Sequence, residues 1–332
     1  MAGRALRVTV GIGDAINSLR SDWARRGGQV PTIVPFVGYG GDGWVRVLGR
    51  VVLRKPGVDR FTSIRGWRSF TSVPVGDTEV VVRAGDVETV VRTDRGGVLD
   101  ARVASDLPPG WATVGLALAG RDAVDAPVYV VDEESTEFGI VSDVDDTVMV
   151  TALPRPFLAA WNSFVLNEHA RTAVAGMAVL YERILRAHPG APVVYLSTGA
   201  WNVVPTLTRF LTRNLYPRGP LLLTDWGPAP DHWFRSGPEH KRRSLERLAE
   251  EFPRIRWLLV GDDGQHDESI YGDFARRHPD HVRAVAIRRL SPGEAVLAGG
   301  RSHEDHSGEV VPWVAAPDGA GLSESLAAIG VL

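Results

Sequence analysis

Asp143, Asp145 and Asp146 crowd into four positions directly after an apolar run at 138–141, with Thr147 next in line. Carboxylates this close repel one another unless a cation or water screens them. If the strand continues, its alternation projects Asp143 and Asp145 to the same side. Such a pair suits a hard divalent cation such as Mg²⁺, which takes oxygen ligands and keeps waters that a phosphate can replace. The plain alternative is a polar turn after a buried strand, so the rest of the chain must decide. Downstream, an apolar run at 191–196 leads straight into Ser197, Thr198 and Gly199. A hydroxyl beside backbone N–H groups entering a helix is a phosphate-binding device, although Ser and Thr also cap many helices. Lys241 stands early in a charged amphipathic stretch with Leu245, Leu248 and Phe252, where it can reach a phosphoryl oxygen. A second acidic edge, Asp262, Asp263 and Asp267, follows the apolar run at 257–260. Open α/β sheets carry their sites at the carboxyl ends of such strands.

The elements that must hold these residues follow from periodicity. Met177, Leu180, Tyr181, Ile184 and Leu185 predict an amphipathic helix over 177–188. Apolar runs at 221–223 and 282–287 add strands, the second of them the final one. The stretch between the first two motifs is short, so any cap over the site is small; it holds Trp161, Phe164, Asn167 and His169. Residues 30–132 have a different texture. Alternating runs at 44–53, 78–83, 88–93, 98–103 and 113–119, broken by Gly, Pro and Asp turns, predict an antiparallel β-sandwich. The run from Thr93 through Gly96 and Gly97 reads as a hairpin turn. Trp67, Phe70 and Trp111 there either pack or hold a ligand. Residues 4–26 carry Leu6, Val8, Ile12, Ile16, Leu19 and Trp23 at near-helical spacing among arginines. This basic amphipathic helix either packs on its own domain or lies on an anionic membrane. The expected organisation is a helix within 1–29, a sandwich over 30–136 and an α/β domain over 137–332.

At 332 residues the chain exceeds the usual single core, which agrees with two domains. A net charge of −3 gives no reason to expect a nucleic-acid partner. The absence of cysteine excludes disulfides, thiolate zinc sites and a cysteine nucleophile. No apolar run approaches the ~20 residues of a spanning helix, and the N-terminus lacks the apolar core of a signal peptide. The expected location is cytoplasmic. His303, Glu304, Asp305 and His306 superficially suggest a metal site, but four polar residues in a loop read as solvated.

Asp143-x-Asp145-x-Thr147, the Ser197 strand, Lys241 and the Gly261-Asp262 strand stand in the order of the haloacid-dehalogenase-like phosphatases, which this chain resembles. Narrower features are Gly261-Asp262-x-Gly264-Gln265-x-Asp267 before Ile270-Tyr271, then Leu222-Leu223-x-Asp225-Trp226-Gly227, His240-Lys241 and Gly176-Met177. These resemble the phosphatidate phosphatases of the actin-patch protein type and their bacterial relatives, over roughly 138–290. The resemblance implies a Rossmann-like domain with a small cap, Mg²⁺ as cofactor and a phosphate-ester substrate. It makes Asp143 the nucleophile and Asp145 the general acid and base. Mg²⁺ would rest on the Asp143 carboxylate, the Asp145 backbone carbonyl and Asp262, with Asp263 or Asp267 completing or orienting the shell. Asp263 stands where relatives often have Ser. Ser197 and Lys241 would stabilise charge on the phosphoryl oxygens, with Thr147, Thr198, Gly199 and Asp267 lining the substrate. Phosphatidate or a similar lipid phosphate is the leading substrate class, met by a peripheral membrane contact. Trp161, Phe164, Trp201, Trp226, Trp233 and Phe234 would then line the cleft mouth. A soluble sugar, nucleotide or protein phosphate is the alternative substrate, and a binding scaffold that uses the sandwich is the alternative of another class.

Overall fold

The computed structural model describes residues 26–55, 73–150, 172–224, 236–264, 266–298, 300–301, 306 and 308–332. They fall into two compact units. One takes the chain up to Val130, with Ala200–Asn202 and the described residues of Thr224–Gly237; the other is built from Val131–Gly199, Val203–Leu223 and Pro238–Leu332. No helix among the described residues is long and apolar enough to cross a membrane.

The first unit holds β1 (Val30–Pro35), β2 (Gly38–Gly41), β3 (Trp44–Arg54), β4 (Glu79–Ala84), β5 (Val87–Arg92), β6 (Val98–Ala104), β7 (Gly110–Ala117) and β8 (Val124–Val130). Alternate residues such as Val80, Val82, Val114, Leu116 and Val128 are buried in one core with Val45, Val47 and Leu99 from β3 and β6. This period of two is what a half-buried sheet requires. The strands form one hydrogen-bonded sheet, ordered β1-β3-β2-β8-β7-β4-β5 with β6 also on β3, and β5 comes round against β6. The expected all-antiparallel pairing needs one correction: β2 and β8 run parallel. Glycine makes that insertion possible, because a Cβ on Gly38 would lie 2.4 Å from the Arg46 carbonyl oxygen and 2.9 Å from Val128. The hairpin turn is closed by Asp94, whose Oδ1 accepts the Val98 N–H at 2.7 Å.

The second unit carries β9 (Phe138–Asp143), β10 (Met149–Val150), β11 (Thr172–Ala173), α1 (Met177–Ala187), β12 (Val193–Ala200), α2 (Val204–Arg213), β13 (Leu221–Thr224), α3 (Ser236–Glu251), β14 (Arg256–Asp262), α4 (Asp267–Arg277), β15 (Val282–Arg288), α5 (Pro292–Ala298), β16 (Trp313–Ala316) and α6 (Gly319–Ala328), apart from residues at the ends of β12, β13 and α3. Six strands form a sheet in the order β13-β12-β9-β14-β15-β16. Counted in chain order within the sheet this is 3-2-1-4-5-6, the doubly wound arrangement. The strands at its centre are continuous apolar runs, as sheets covered on both faces demand; all six residues of β9 are buried. β12 and β14 flank β9 in parallel, with Leu196 opposite Asp143 and Val260 opposite Ser142. That register brings Asp143, Ser197 and Asp262 to one carboxyl edge.

Two expectations are corrected, on the last strand and on the run after Ser197. β15 is not the last strand, because β16 pairs parallel to it. α6 starts at Gly319, where the Asp318 carboxylate caps it by accepting the Gly321 N–H at 2.9 Å. Ser197 to Gly199 do not run directly into a helix: β12 continues to Ala200 and a 3₁₀ turn, Trp201–Val203, precedes α2. The β10–β11 ribbon brackets the insert in which the cap was expected. That insert with Trp161, Phe164, Asn167 and His169 lies outside the described residues, as do the N-terminal helix and Trp67 and Phe70. So do Asp225, Trp226, Gly227, Trp233, Phe234, Gln265, His303, Glu304 and Asp305.

Candidate active site

Asp143 ends β9 with 2% of its surface exposed. Lys241 donates from Nζ to Asp143 Oδ1 at 2.6 Å and to Asp267 Oδ1 at 2.5 Å. The ammonium itself is buried, so this is a charge cluster shielded from water. Lys241 is aimed by α3, in which the residue before it, His240, bonds the Leu222 carbonyl of β13 at 3.2 Å. Burial lowers the pKa of His240 to about 4, so it is a neutral imidazole that donates from Nε2. Asp267 opens α4, and Gly261 makes room for it: a Cβ there would lie 2.7 Å from both Asp267 Oδ2 and the Tyr271 ring. Asp262 closes β14 and accepts the Gly264 N–H on Oδ1 at 2.7 Å. Carboxylate oxygens of Asp143, Asp262 and Asp267 lie within 4.8 Å of one another.

Charge in this cluster does not balance. Burial pushes the Asp143 carboxyl well above the usual range; Lys241 opposes the rise, and Asp267, Asp145 and Asp262 add to it. Burial also lifts Asp262, with Asp267 adding to the rise. For Lys241 burial works against the charge, but Asp143 and Asp267 outweigh it and keep the group an ammonium. Among the described residues, one cation thus faces three carboxylates. In addition, Asp143 Oδ2 and Asp267 Oδ2 are buried without a hydrogen-bond partner among the described residues. An unsatisfied buried carboxylate oxygen is costly. A divalent cation with oxygen ligands fits this donor set and would satisfy both atoms.

Past Asp143 the strand gives way to a turn, so simple alternation no longer places Asp145. Its Oδ2 instead accepts the Ser197 hydroxyl at 3.1 Å, while Ser197 Oγ accepts the Gly199 N–H at 3.0 Å. Thr147 is fully buried and its hydroxyl lacks a hydrogen-bond partner among the described residues. Thr198 is exposed. Asp146 adopts a left-handed backbone, φ 58°, with its N–H donating to the Met149 carbonyl at 2.7 Å.

Asp263 lies outside the carboxylate cluster. Its Oδ1 accepts the Leu290 N–H at 2.8 Å and its Oδ2 faces Arg301 at 3.7 Å, so it braces the loop after β15. Its neighbour Asp262 points the other way, as successive strand residues do. Trp201, expected at a cleft mouth, is 5% exposed and stacks on Phe36 at 5.6 Å within the same unit. Trp111 is 46% exposed beside Tyr129, and His306 stacks on Trp313. Sequence reasoning missed Ser142, whose hydroxyl donates to the Asp143 carbonyl at 2.7 Å and bonds Tyr181 at 2.6 Å. It also missed Arg288, whose Nη1 donates to the Asp146 carbonyl at 2.7 Å. A charged residue closing a buried strand at the carboxyl edge was the available signal.

The sequence model of the family described as "Phosphatidate phosphatase APP1, catalytic domain" matches residues 138–289, from the start of β9 to just past β15. Residues 138–289 are thus similar in sequence to this catalytic-domain family. Phosphatidate phosphatase APP1 of Saccharomyces cerevisiae is 25% identical over 156 residues, 46% of this chain and 26% of that protein. An uncharacterized protein of Schizosaccharomyces pombe is 24% identical over 150 residues, 45% of this chain and 24% of that protein. The match thus spans about a quarter of the length of these curated relatives. Among solved structures, an uncharacterized protein from Listeria monocytogenes serotype 4b is 12% identical with a TM-score of 0.35, over 59% of this chain and 99% of that one. XAC1771, a carbohydrate acetylesterase from Xanthomonas citri, is 10% identical with a TM-score of 0.29, over 81% of this chain and 73% of that one. Likenesses at these scores bear on neither fold nor activity. The matched segment contains Asp143, Ser197, Lys241, Asp262 and Asp267, and it ends before β16 and α6.

Proposed function

We propose that this chain is a Mg²⁺-dependent phosphoric monoester hydrolase of the haloacid-dehalogenase type, acting through an aspartyl-phosphate on phosphatidate or a related lipid phosphate. One observation supports the proposal most. Asp143 is a buried strand-end carboxylate, held on one oxygen by Lys241, with its other oxygen lacking a hydrogen-bond partner among the described residues and lying beside Asp262 and Asp267. In this mechanism an Asp143 oxygen attacks phosphorus and the ester P–O bond breaks. The leaving alcohol takes its proton from the Asp145 carboxyl, and Asp145 then removes a proton from the water that hydrolyses the acyl phosphate. Lys241 keeps one Asp143 oxygen fixed and supplies positive charge beside the phosphoryl group. Ser197, released from Asp145, donates to a phosphoryl oxygen, and the Thr147 hydroxyl is available for a similar role. Asp143, Asp262 and Asp267 would hold Mg²⁺, which would supply positive charge to offset the repulsion between a carboxylate nucleophile and an anionic phosphate. The family match supports the lipid substrate, and the enzyme would meet it at the periphery of a membrane from the cytoplasmic side.

Hydrolysis of p-nitrophenyl phosphate and of phosphatidate in mixed micelles, with Mg²⁺ and after chelation, tests this directly. Mg²⁺-dependent release of phosphate from both is expected, with activity lost in Asp143→Asn. Activity on a sugar or nucleotide phosphate but none on phosphatidate would replace the lipid assignment. Inactivity on all of them would leave a binding protein.

A further inference from the structure

Arg288 is the last residue of β15 and has 6% of its surface exposed. Each of its three guanidinium nitrogens donates a hydrogen bond: Nη1 to the Asp146 carbonyl at 2.7 Å, Nη2 to Glu294 Oε1 at 2.7 Å, and Nε to the Pro317 carbonyl at 3.3 Å. In the sheet Arg288 pairs with Asp262, and its own carbonyl accepts the Asp263 N–H at 3.1 Å. The backbone of Arg288 is therefore tied to one acidic strand end while its side chain reaches the other, across β14. What it holds there is unusual. Asp146 is a left-handed, non-glycine residue next to Asp145, and such a backbone persists where its surroundings fix both its N–H and its carbonyl. The Met149 carbonyl takes the N–H and Arg288 holds the carbonyl.

We propose that Arg288, itself braced by Glu294, is a positioning residue for the Asp145 carboxyl, fixing the 145–146 turn so that the carboxyl can protonate the leaving oxygen. This rests on the phosphatase assignment above and adds a residue to it. Arg288 touches neither substrate nor metal in this scheme. It acts through the peptide that carries the acid.

Dependence on the leaving group separates this role from a general structural one. Protonation of the leaving oxygen is essential for an alkyl phosphate and nearly dispensable for p-nitrophenolate. In Arg288→Lys, which keeps the charge but loses the fork of donors, kcat/KM for an alkyl phosphate should fall about 10- to 100-fold. That is part of the 10²–10⁴-fold available from general acid catalysis. For p-nitrophenyl phosphate kcat/KM should fall less than about threefold, because kcat/KM reports only the steps up to loss of the leaving group and leaves out the later hydrolysis that Asp145 also assists. In Arg288→Ala, added methylguanidinium should restore alkyl phosphate turnover. Wild type inactive on both esters would overturn the phosphatase assignment and this inference together. An active wild type whose Arg288→Lys variant loses kcat/KM equally on both substrates, or on neither, would overturn the inference alone. A misfolded Arg288→Ala leaves the decision with Arg288→Lys, checked for a wild-type circular dichroism spectrum.

Discussion

Lys241 is the residue on which the charge of the site turns. Among the described residues it is the buried cation that stands against Asp143, Asp262 and Asp267, and it bonds two of them. Removing one partner of a buried ionic cluster typically costs about 3–5 kcal/mol, since the charges left behind have neither water nor a counterion. Lys241→Met should therefore melt well below wild type in chelator and recover much of the difference when Mg²⁺ is added, while remaining inactive. Equal melting of the two proteins in chelator would show that Lys241 does not balance the cluster. Asp263 and Asp267 give a second residue-level contrast. Asp263 bonds the Leu290 backbone, whereas Asp267 shares Lys241 with Asp143. Asp267→Asn should abolish most of the thermal shift produced by Mg²⁺, and Asp263→Asn should preserve it, because an amide oxygen can still accept from Leu290. The reverse pattern would move the metal ligand to Asp263.

At the scale of elements, Gly261 sets how closely α4 approaches the end of β14. Overpacking typically costs about 1–3 kcal/mol, so Gly261→Ala should lower the melting temperature and also weaken the Mg²⁺ response by displacing Asp267. A variant that loses stability but responds to Mg²⁺ like wild type would separate Gly261 from the site. Much of this unit was legible in the sequence. Four buried, mainly apolar runs carry polar residues at their carboxyl ends, and a doubly wound sheet aligns those ends. β16 escaped because Trp313–Ala316 is short and follows a Gly-rich stretch with no alternation. The choice between Asp263 and Asp267 was not legible either: spacing shows three carboxylates, and only the start of α4 decides which one turns inward. Arg288 escaped for a related reason, since its partner Asp146 lies across a strand and far away in sequence. In the β-rich unit the alternation was plain, but the parallel β2–β8 pair was not, because it rests on backbone approach at Gly38 rather than on side chains.

For the whole molecule, the raised Asp143 and Asp262 carboxyls have a consequence for stability. Groups with folded pKa values above their unfolded ones favour folding while protonated. That contribution is present at acidic pH and is lost as pH climbs from the ordinary carboxylate range through the raised values. Metal must displace the same protons. The gain in melting temperature from Mg²⁺ should accordingly be small near pH about 5 and larger near pH about 8; a gain independent of pH would argue against these ligands. Substrate scale matters too. If the acyl chains contribute to transition-state binding, kcat/KM for phosphatidate in mixed micelles should exceed that for glycerol 3-phosphate by about a hundredfold or more. Parity would favour a soluble phosphate. The covalent step remains the central claim, and acid-quenching the enzyme after brief exposure to radiolabelled phosphatidate and Mg²⁺ tests it most directly. Wild type should retain phosphate on Asp143 as a base-labile acyl phosphate, and Asp143→Asn should retain none and turn over no substrate. Label bound equally to Asp143→Asn, or near-normal turnover by that variant, would contradict it.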